Sequence, residues 1–123
     1  MDPRVLIIRD KIRAGDLKRV CEEGFGEMAK AVVDVASGWV GIGGDLHADI
    51  EKVLLEAGSK QEDLWGINVF PFEPEEQRIV YTALINIRPN QDNRSMEVMD
   101  LGIRRKIKSI VEDRVLASYE KLV

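Results

Sequence analysis

The 123-residue sequence holds one cysteine, Cys21, and one histidine, His47. A lone cysteine excludes an internal disulfide and a thiolate metal cage. Between Val20 and a pair of glutamates, at helical spacing, Cys21 reads as a small buried thiol. A cysteine nucleophile would need His47 as its base, and nothing in the sequence brings the two together. Aromatic residues make up only 6%, so the core is mostly aliphatic. No apolar run approaches the roughly 20 residues of a membrane span, and no leader pattern is present; the expectation is a cytoplasmic protein without membrane contact. Charge of one sign is never concentrated, and the net charge is −4. The average field therefore repels a polyanion, which disfavours nucleic acid as a partner.

What is present fits one soluble domain spanning residues 1–123, with 45% hydrophobic and 33% charged residues. Arg4 to Asp10 is a short branched apolar run, read as a first strand. Leu17, Val20, Cys21 and Phe25 fall at helical spacing behind Asp16, a plausible N-cap. Met28–Val35 and Trp39–Gly44 read as a hairpin around Ala36-Ser37-Gly38. The glycines of the second of these strands leave one face bare, for a close neighbour or a ligand. Leu46, Ile50, Val53, Leu54 and Ala57 then define a helix closed by Gly58. Leu64–Phe72 and Arg78–Arg88 read as two more strands. A final helix runs from an Asp100 cap to about Lys121, with Ile103, Ile107, Ile110, Val111 and Val115 as its stripe.

The order β-α-β-β-α-β-β-α predicts an α+β domain of two layers, with a mainly antiparallel or mixed sheet and helices on one face. Its first six elements match the split β-α-β plan of ferredoxin-like folds, with a strand and a helix added.

The densest polar stretch is Leu84 to Ser95, LINIRPNQDNRS. Alternation puts Asn86 and Arg88 on one face at a strand end. Pairing Phe72 with Arg78 would oppose Asn68 to Thr82, Leu64 to Asn86 and Glu62 to Arg88, with Trp65, Ile67 and Val69 facing Ile85, Ala83 and Tyr81. The chemical expectation is a cleft for a small anionic ligand. Arg88 and Arg94 would grip a carboxylate or phosphate, and Asn86, Gln91, Asn93 and Ser95 would orient it. Glu62 or Asp63, with His47 if the helix start lies near, would supply catalytic proton transfer. The plain alternative is a strand-end ion pair beside a loop whose amides bond its own backbone.

No cofactor is expected. Asp45, His47, Asp49 and Glu51 form the sole metal-like cluster, with His47 and Asp49 as candidate ligands for a divalent ion; a solvated acidic helix start explains the same residues. Gly41-Ile42-Gly43-Gly44-Asp45 lacks the spacing of a dinucleotide fingerprint and reads as a tight turn. Arg104-Arg105-Lys106 has no interleaved aromatics and reads as a solvated face. Against the ligand-binding or catalytic reading stands an interaction module that forms a homo-oligomer through its apolar strand faces.

Three stretches carry a family likeness: GGDLHAD (Gly43–Asp49), GSKQEDLWGINVFP (Gly58–Pro71) and LINIRPNQDNRSMEV (Leu84–Val98). Together they resemble a family of small prokaryotic proteins classed as a domain of unknown function. The resemblance implies no activity. It marks His47, Asp49, Gln61, Glu62, Asp63, Trp65, Asn86, Arg88, Pro89, Gln91, Asn93, Arg94 and Ser95 as matching the pattern. Where members usually have glycine before Asn93, this chain has Asp92, a negative charge beside the expected anion site.

Overall fold

A computed structural model describes residues 2–117. Its strands are β1 (Leu6–Ile8), β2 (Ala29–Asp34), β3 (Val40–Ile42), β4 (Leu64–Val69) and β5 (Ile79–Val80), and its helices are α1 (Ala14–Glu23), α2 (His47–Glu56) and α3 (Leu101–Val111). The strands form one sheet in the order β1-β3-β2-β4-β5. Every pairing is antiparallel. The α+β class and the element order are those the sequence indicates. Asp100 caps α3 by accepting the Ile103 N–H at 3.0 Å. A π-helical turn, Glu112–Leu116, continues α3, and the expected end near Lys121 lies outside the described residues. The N-terminal cap differs: α1 starts at Ala14, and Asp16 sits in its first turn, paired with Arg19 at 3.2 Å. Among the described residues no helix is long and apolar enough to cross a membrane.

The β2–β3 hairpin closes where the glycine predicts. Gly38 takes φ +80, a left-handed conformation that costs glycine little. Asp34 anchors the turn, accepting from the Ala36 and Ser37 N–H groups at 2.9 and 3.0 Å and from the Ser59 hydroxyl at 2.7 Å. Burial works to raise its pKa, but these donors outweigh it and hold the carboxyl below its usual value.

β3 lies between β1 and β2, so β1-α1-β2 is a split β-α-β unit. The ferredoxin-like expectation fails at the next strand. β4 docks beside β2, from Ala29↔Val69 to Asp34↔Leu64, whereas a ferredoxin-like fold sets its fourth strand beside the first. The layering also differs. α1 and α3 cover one face, packing Leu17, Val20, Ile107 and Val111 against Ala31, Val33 and Ile67. α2 covers the other, with Ile50, Val53 and Leu54 against Val32 and Leu64. Three layers replace the expected two because central β2 and β4 are apolar on both faces and each face needs cover. Gly41 permits the α2 contact: a Cβ there would stand 2.5 Å from Ile50 Cγ2. The bare face of β3 thus admits a close neighbour, one of its two expected uses.

The largest departure follows β5. The expected strand to Arg88 leaves the ladder at Val80, after the pairs Val69↔Ile79 and Asn68↔Val80. The register therefore differs by two residues from the expected Asn68–Thr82, and Leu64–Asn86 and Glu62–Arg88 do not form. Residues 81–83 turn instead to 96–98, with Ala83 N–H donating to Met96 O and Val98 N–H to Tyr81 O, both at 3.0 Å. Leu84–Asn86 is a 3-10 turn. Gly66 is the physical reason. A Cβ on it would lie 2.5 Å from Ala83 Cβ and 3.1 Å from Ile85 Cγ1, so the chain crosses β4 where β4 has no side chain. Ala83 and Ile85 consequently lie on the α2 side of the sheet, not beside Trp65 as expected.

Candidate functional site

Two neighbouring regions carry the chemistry. The first is the corner built by residues 84–99. Asn86 is fully buried, and its side chain completes the edge of β4. Its Oδ1 accepts the Gly66 N–H at 2.8 Å, and its Nδ2 donates to Gly66 O at 2.9 Å and Met96 O at 3.0 Å. One amide thereby exchanges the two bonds that a strand residue would make. Asn93, also buried, donates from Nδ2 to the carbonyls of Asn86, Ser95 and Glu97 at 2.7, 3.0 and 2.9 Å, and its Oδ1 accepts the Met99 N–H at 2.9 Å. The Ser95 hydroxyl accepts the Glu97 N–H at 3.1 Å.

Arg88 is 6% exposed. Nε donates to Ile85 O at 3.0 Å, Nη1 to Gln61 O at 2.7 Å, and Nη2 to Leu64 O. Its guanidinium lies 4.8 Å from the centroid of the Trp65 ring. Its carboxylate partner is Glu51 of α2, with Nη2 to Oε2 at 3.4 Å, not the expected Glu62. Burial pulls both partners toward neutrality, lowering the Arg88 pKa and raising that of Glu51, while their mutual attraction opposes each shift. Gln91 Nε2 donates to Glu62 O at 3.0 Å. The loop closes on itself, with Arg88 N–H to Asn93 O at 2.6 Å and Asn93 N–H to Arg88 O at 3.0 Å. Asp92 closes the turn at φ 57, the one non-glycine positive φ among the described residues. Glycine suits that backbone conformation without strain, which gives a physical reason for glycine at this position.

The corner thus collects Asn86, Arg88, Gln91, Asn93 and Ser95, but turns their polar atoms inward. Arg94 is exposed and has no hydrogen bond or ion pair among the described residues. Glu62 is exposed and Asp63 half-buried in a 3-10 turn, Gln61–Asp63, that opens β4. His47 is not with them. Its Nε2 lies 2.8 Å from Ile67 O, and roughly 13 Å of strand separates Asp63 from Ile67. Asp49 turns elsewhere, lining a small cavity with Asp2 and Lys52, while Asp45 pairs with Arg4 at 2.9 Å. Among the described residues no three His, Cys, Asp or Glu side chains are grouped to hold a metal ion.

The second region is a groove of about 460 Å³ between the start of α2 and residues 82–85 and 96. Leu46, Leu84 and Met96 form its rim and are 55%, 71% and 40% exposed. His47, Asn68 and Lys30 are its principal polar lining. Because a carbonyl only accepts, the neutral imidazole carries its proton on Nε2 toward Ile67 O. Burial lowers the His47 pKa, with a smaller push from Lys30, against the raising effects of Ile67 O and Asn68. Asn68 Nδ2 donates to Thr82 O at 3.3 Å. That bond orients the amide, and Oδ1 is shielded from solvent with no donor in good hydrogen-bonding geometry among the described residues. Lys30 and Asn68 are cross-strand neighbours. A slightly larger cavity, about 520 Å³, lies near Tyr81 and α3 and is lined by charges of both signs, including Glu75, Arg78, Lys108 and Glu112.

The sequence pattern did not single out Lys30 and Asn68 as neighbours, nor Glu51 as the partner of Arg88. The signal for Asn68 was a polar residue inside an otherwise apolar strand. Lys30 carried the same signal in β2.

Fold and site define an antiparallel α+β domain in which a saturated polar corner adjoins a largely apolar groove. The chain belongs to the family described as a protein of unknown function (DUF5674), which it matches over residues 6–114. No curated protein and no solved structure matches it.

Proposed function

We propose that the protein is a small-molecule-binding domain whose site is the groove beside α2, with the arginine–amide corner as its rigid wall. The observation that carries this reading is the groove itself, about 460 Å³, walled by Leu46, Ala83, Leu84, Ile85 and Met96 with Lys30, His47 and Asn68 as its polar lining. The groove's volume falls within the range of small-molecule sites. The corner is the weaker place for a ligand, because Arg88, Asn86 and Asn93 would first have to leave backbone partners. The reading takes a small anionic ligand as its class, with Lys30 as the cation among the groove's lining residues. Glu62, Asp63 and His47 are not gathered for joint proton transfer, so the reading is binding without catalysis.

The test is thermal unfolding against a panel of small amphiphilic acids, alcohols and amides. A ligand at 100 times its Kd stabilises by about 2.7 kcal/mol. The unmutated protein is expected to shift with at least one class, and Leu84→Asp, on the exposed rim, is expected to lose the shift while unfolding normally. No shift with any class removes the reading.

A second reading has its own support. Leu46, Leu84 and Met96 are exposed around one groove, and clustered apolar surface marks interfaces. Two copies associating through this rim would give a dimer by light scattering, and Leu84→Asp would return it to monomer. A monomer throughout the micromolar range counts against it.

A further inference from the structure

We infer that the β1 edge of the sheet is an interface for a second copy of this chain, the two β1 strands pairing antiparallel about a two-fold axis at Ile7. The inference stands apart from the groove and comes from the direction in which each backbone group of the sheet points.

Along a strand, successive residues turn their N–H and C=O groups to opposite edges. In β3, Gly43 N–H donates to Lys30 O at 3.1 Å, so Gly41 and Gly43 address β2, and Val40 and Ile42 address β1. The partners of Val40 and Ile42 are Ile8 and Leu6, which therefore bond inward. The groups left pointing out of the sheet are Val5 C=O, Ile7 N–H, Ile7 C=O and Arg9 N–H. None of them is engaged among the described residues. The opposite edge is closed. There Asn86 and Arg88 meet the Gly66 and Leu64 groups that β5 leaves unpaired, and the chain beyond β5 bridges to Glu97. β1 has none of the devices that blunt an edge: Leu6–Ile8 holds no proline, lysine or bulge.

The outward groups are self-complementary. With Ile7 opposite Ile7 of the second copy, each Ile7 N–H donates to the other's C=O, and each Arg9 N–H donates to Val5 C=O across the axis. The groups such a ladder leaves over are Val5 N–H and Arg9 C=O, and both are already used. Val5 N–H donates to Asp2 O at 3.2 Å, and Arg114 Nη1 donates to Arg9 O at 2.6 Å. Shifting the pair by two residues would set one of these engaged groups against Ile7, so a single register fits. That register also brings Arg4, before the strand, toward Asp10 of the second copy, after it; both residues are exposed, and the unlike charges meet at each end. Leu6 and Ile7, half-buried in one copy, each gain an apolar partner, Ile8 and Ile7 of the other.

The test is sedimentation velocity across the micromolar to millimolar range, with amide hydrogen exchange at both ends of it. The unmutated chain is expected to dimerise. Ile7 and Arg9 N–H should be protected at high concentration and exchange freely on dilution, with Leu6 and Ile8 N–H protected throughout. Ile7→Pro deletes the outward donor and keeps the inward bonds, a change an edge strand tolerates; it should weaken association by about tenfold or more. Asp10→Lys should weaken it by about threefold, and Leu84→Asp, on the groove rim, should leave it unchanged. A monomer at every concentration overturns the inference. So does a dimer whose Ile7 and Arg9 amides exchange as freely as the monomer's, or one that Leu84→Asp dissociates and Ile7→Pro does not. The exchange pattern of the unmutated protein decides the matter even if Ile7→Pro fails to fold.

Discussion

The corner and the groove each hold a cation and a side-chain amide, yet they differ in how much of their surface is already matched. In the corner, Asn86, Arg88 and Asn93 are buried and bonded to backbone at nearly every polar atom. In the groove, Leu46, Leu84 and Met96 leave apolar walls open, and the Lys30 ammonium meets no carboxylate among the described residues. The difference teaches where function can reside. A polar group already satisfied by its own chain loses bonds when it turns to a ligand, whereas an unsatisfied one gains them. Density of polar residues is thus a poor guide to a site, and unmatched capacity is a better one.

Substitutions in the corner test its half of the contrast and carry the largest effects. Asn86→Leu removes three bonds and strands the Gly66 N–H and C=O at a buried edge. Denaturant unfolding is expected to show a loss of about 3–5 kcal/mol. Arg88→Met should cost about 3 kcal/mol, and Arg88→Lys should recover little, since an ammonium cannot reach Ile85, Gln61 and Leu64 carbonyls together. A loss below about 1 kcal/mol in Asn86→Leu would mean that the corner is not the rigid wall.

Gly66→Ala comes next. Its added Cβ meets Ala83 Cβ at 2.5 Å, and overpacking of this kind costs about 1–3 kcal/mol. Residues 83–85 also wall the groove, so ligand affinity should fall with stability. Unchanged affinity would separate the two regions.

The groove should respond with the opposite sign. Asn68→Leu deletes an unmatched acceptor along with one long bond to Thr82, so stability should stay within about 1 kcal/mol of the unmutated protein, or rise. His47 supplies a pH signature. Its pKa is lowered in the folded state, chiefly by burial, so the unfolded chain takes up the proton first as pH falls. Stability is therefore full above the ordinary value of about 6.5 and declines below it. His47→Gln should flatten that part of the profile. An unchanged slope would place the titration elsewhere.

The smallest effect is at Asp92, held at φ 57. Asp92→Gly should be neutral or stabilising by a few tenths of a kcal/mol, and Asp92→Ala less favourable than Asp92→Gly by about 1 kcal/mol. The ordering is readable from midpoints in urea.

Local signals were legible in the sequence. The Asp100 cap, the Gly38 hairpin and the α2 stripe each depend on neighbours a few residues apart, and each forms as the pattern requires. Non-local pairing was not legible. The alternation in IVYTALINI is that of a strand, but Gly66, more than a dozen positions earlier, lets the chain cross over β4 and end the ladder. Asn86 imitates a strand residue with its side chain, a role that no spacing rule encodes. The groove was hidden for the same reason: Lys30 and Asn68 meet only because β4 docks on β2. Continuous apolar runs in AVV and LWGINV did carry a sign of two-sided burial, and with it the third layer.

The contrast between corner and groove is tested most directly by mapping, on the unmutated protein, the panel compound that most raises the unfolding midpoint, through ¹H–¹⁵N chemical shifts that include the arginine Nε–Hε signals. The account predicts perturbations at Lys30, Leu46, His47, Asn68 and Leu84, with Arg88 and Arg94 Nε–Hε unmoved. Shifts centred on Arg88, Asn93 and Arg94, with the groove silent, would contradict it.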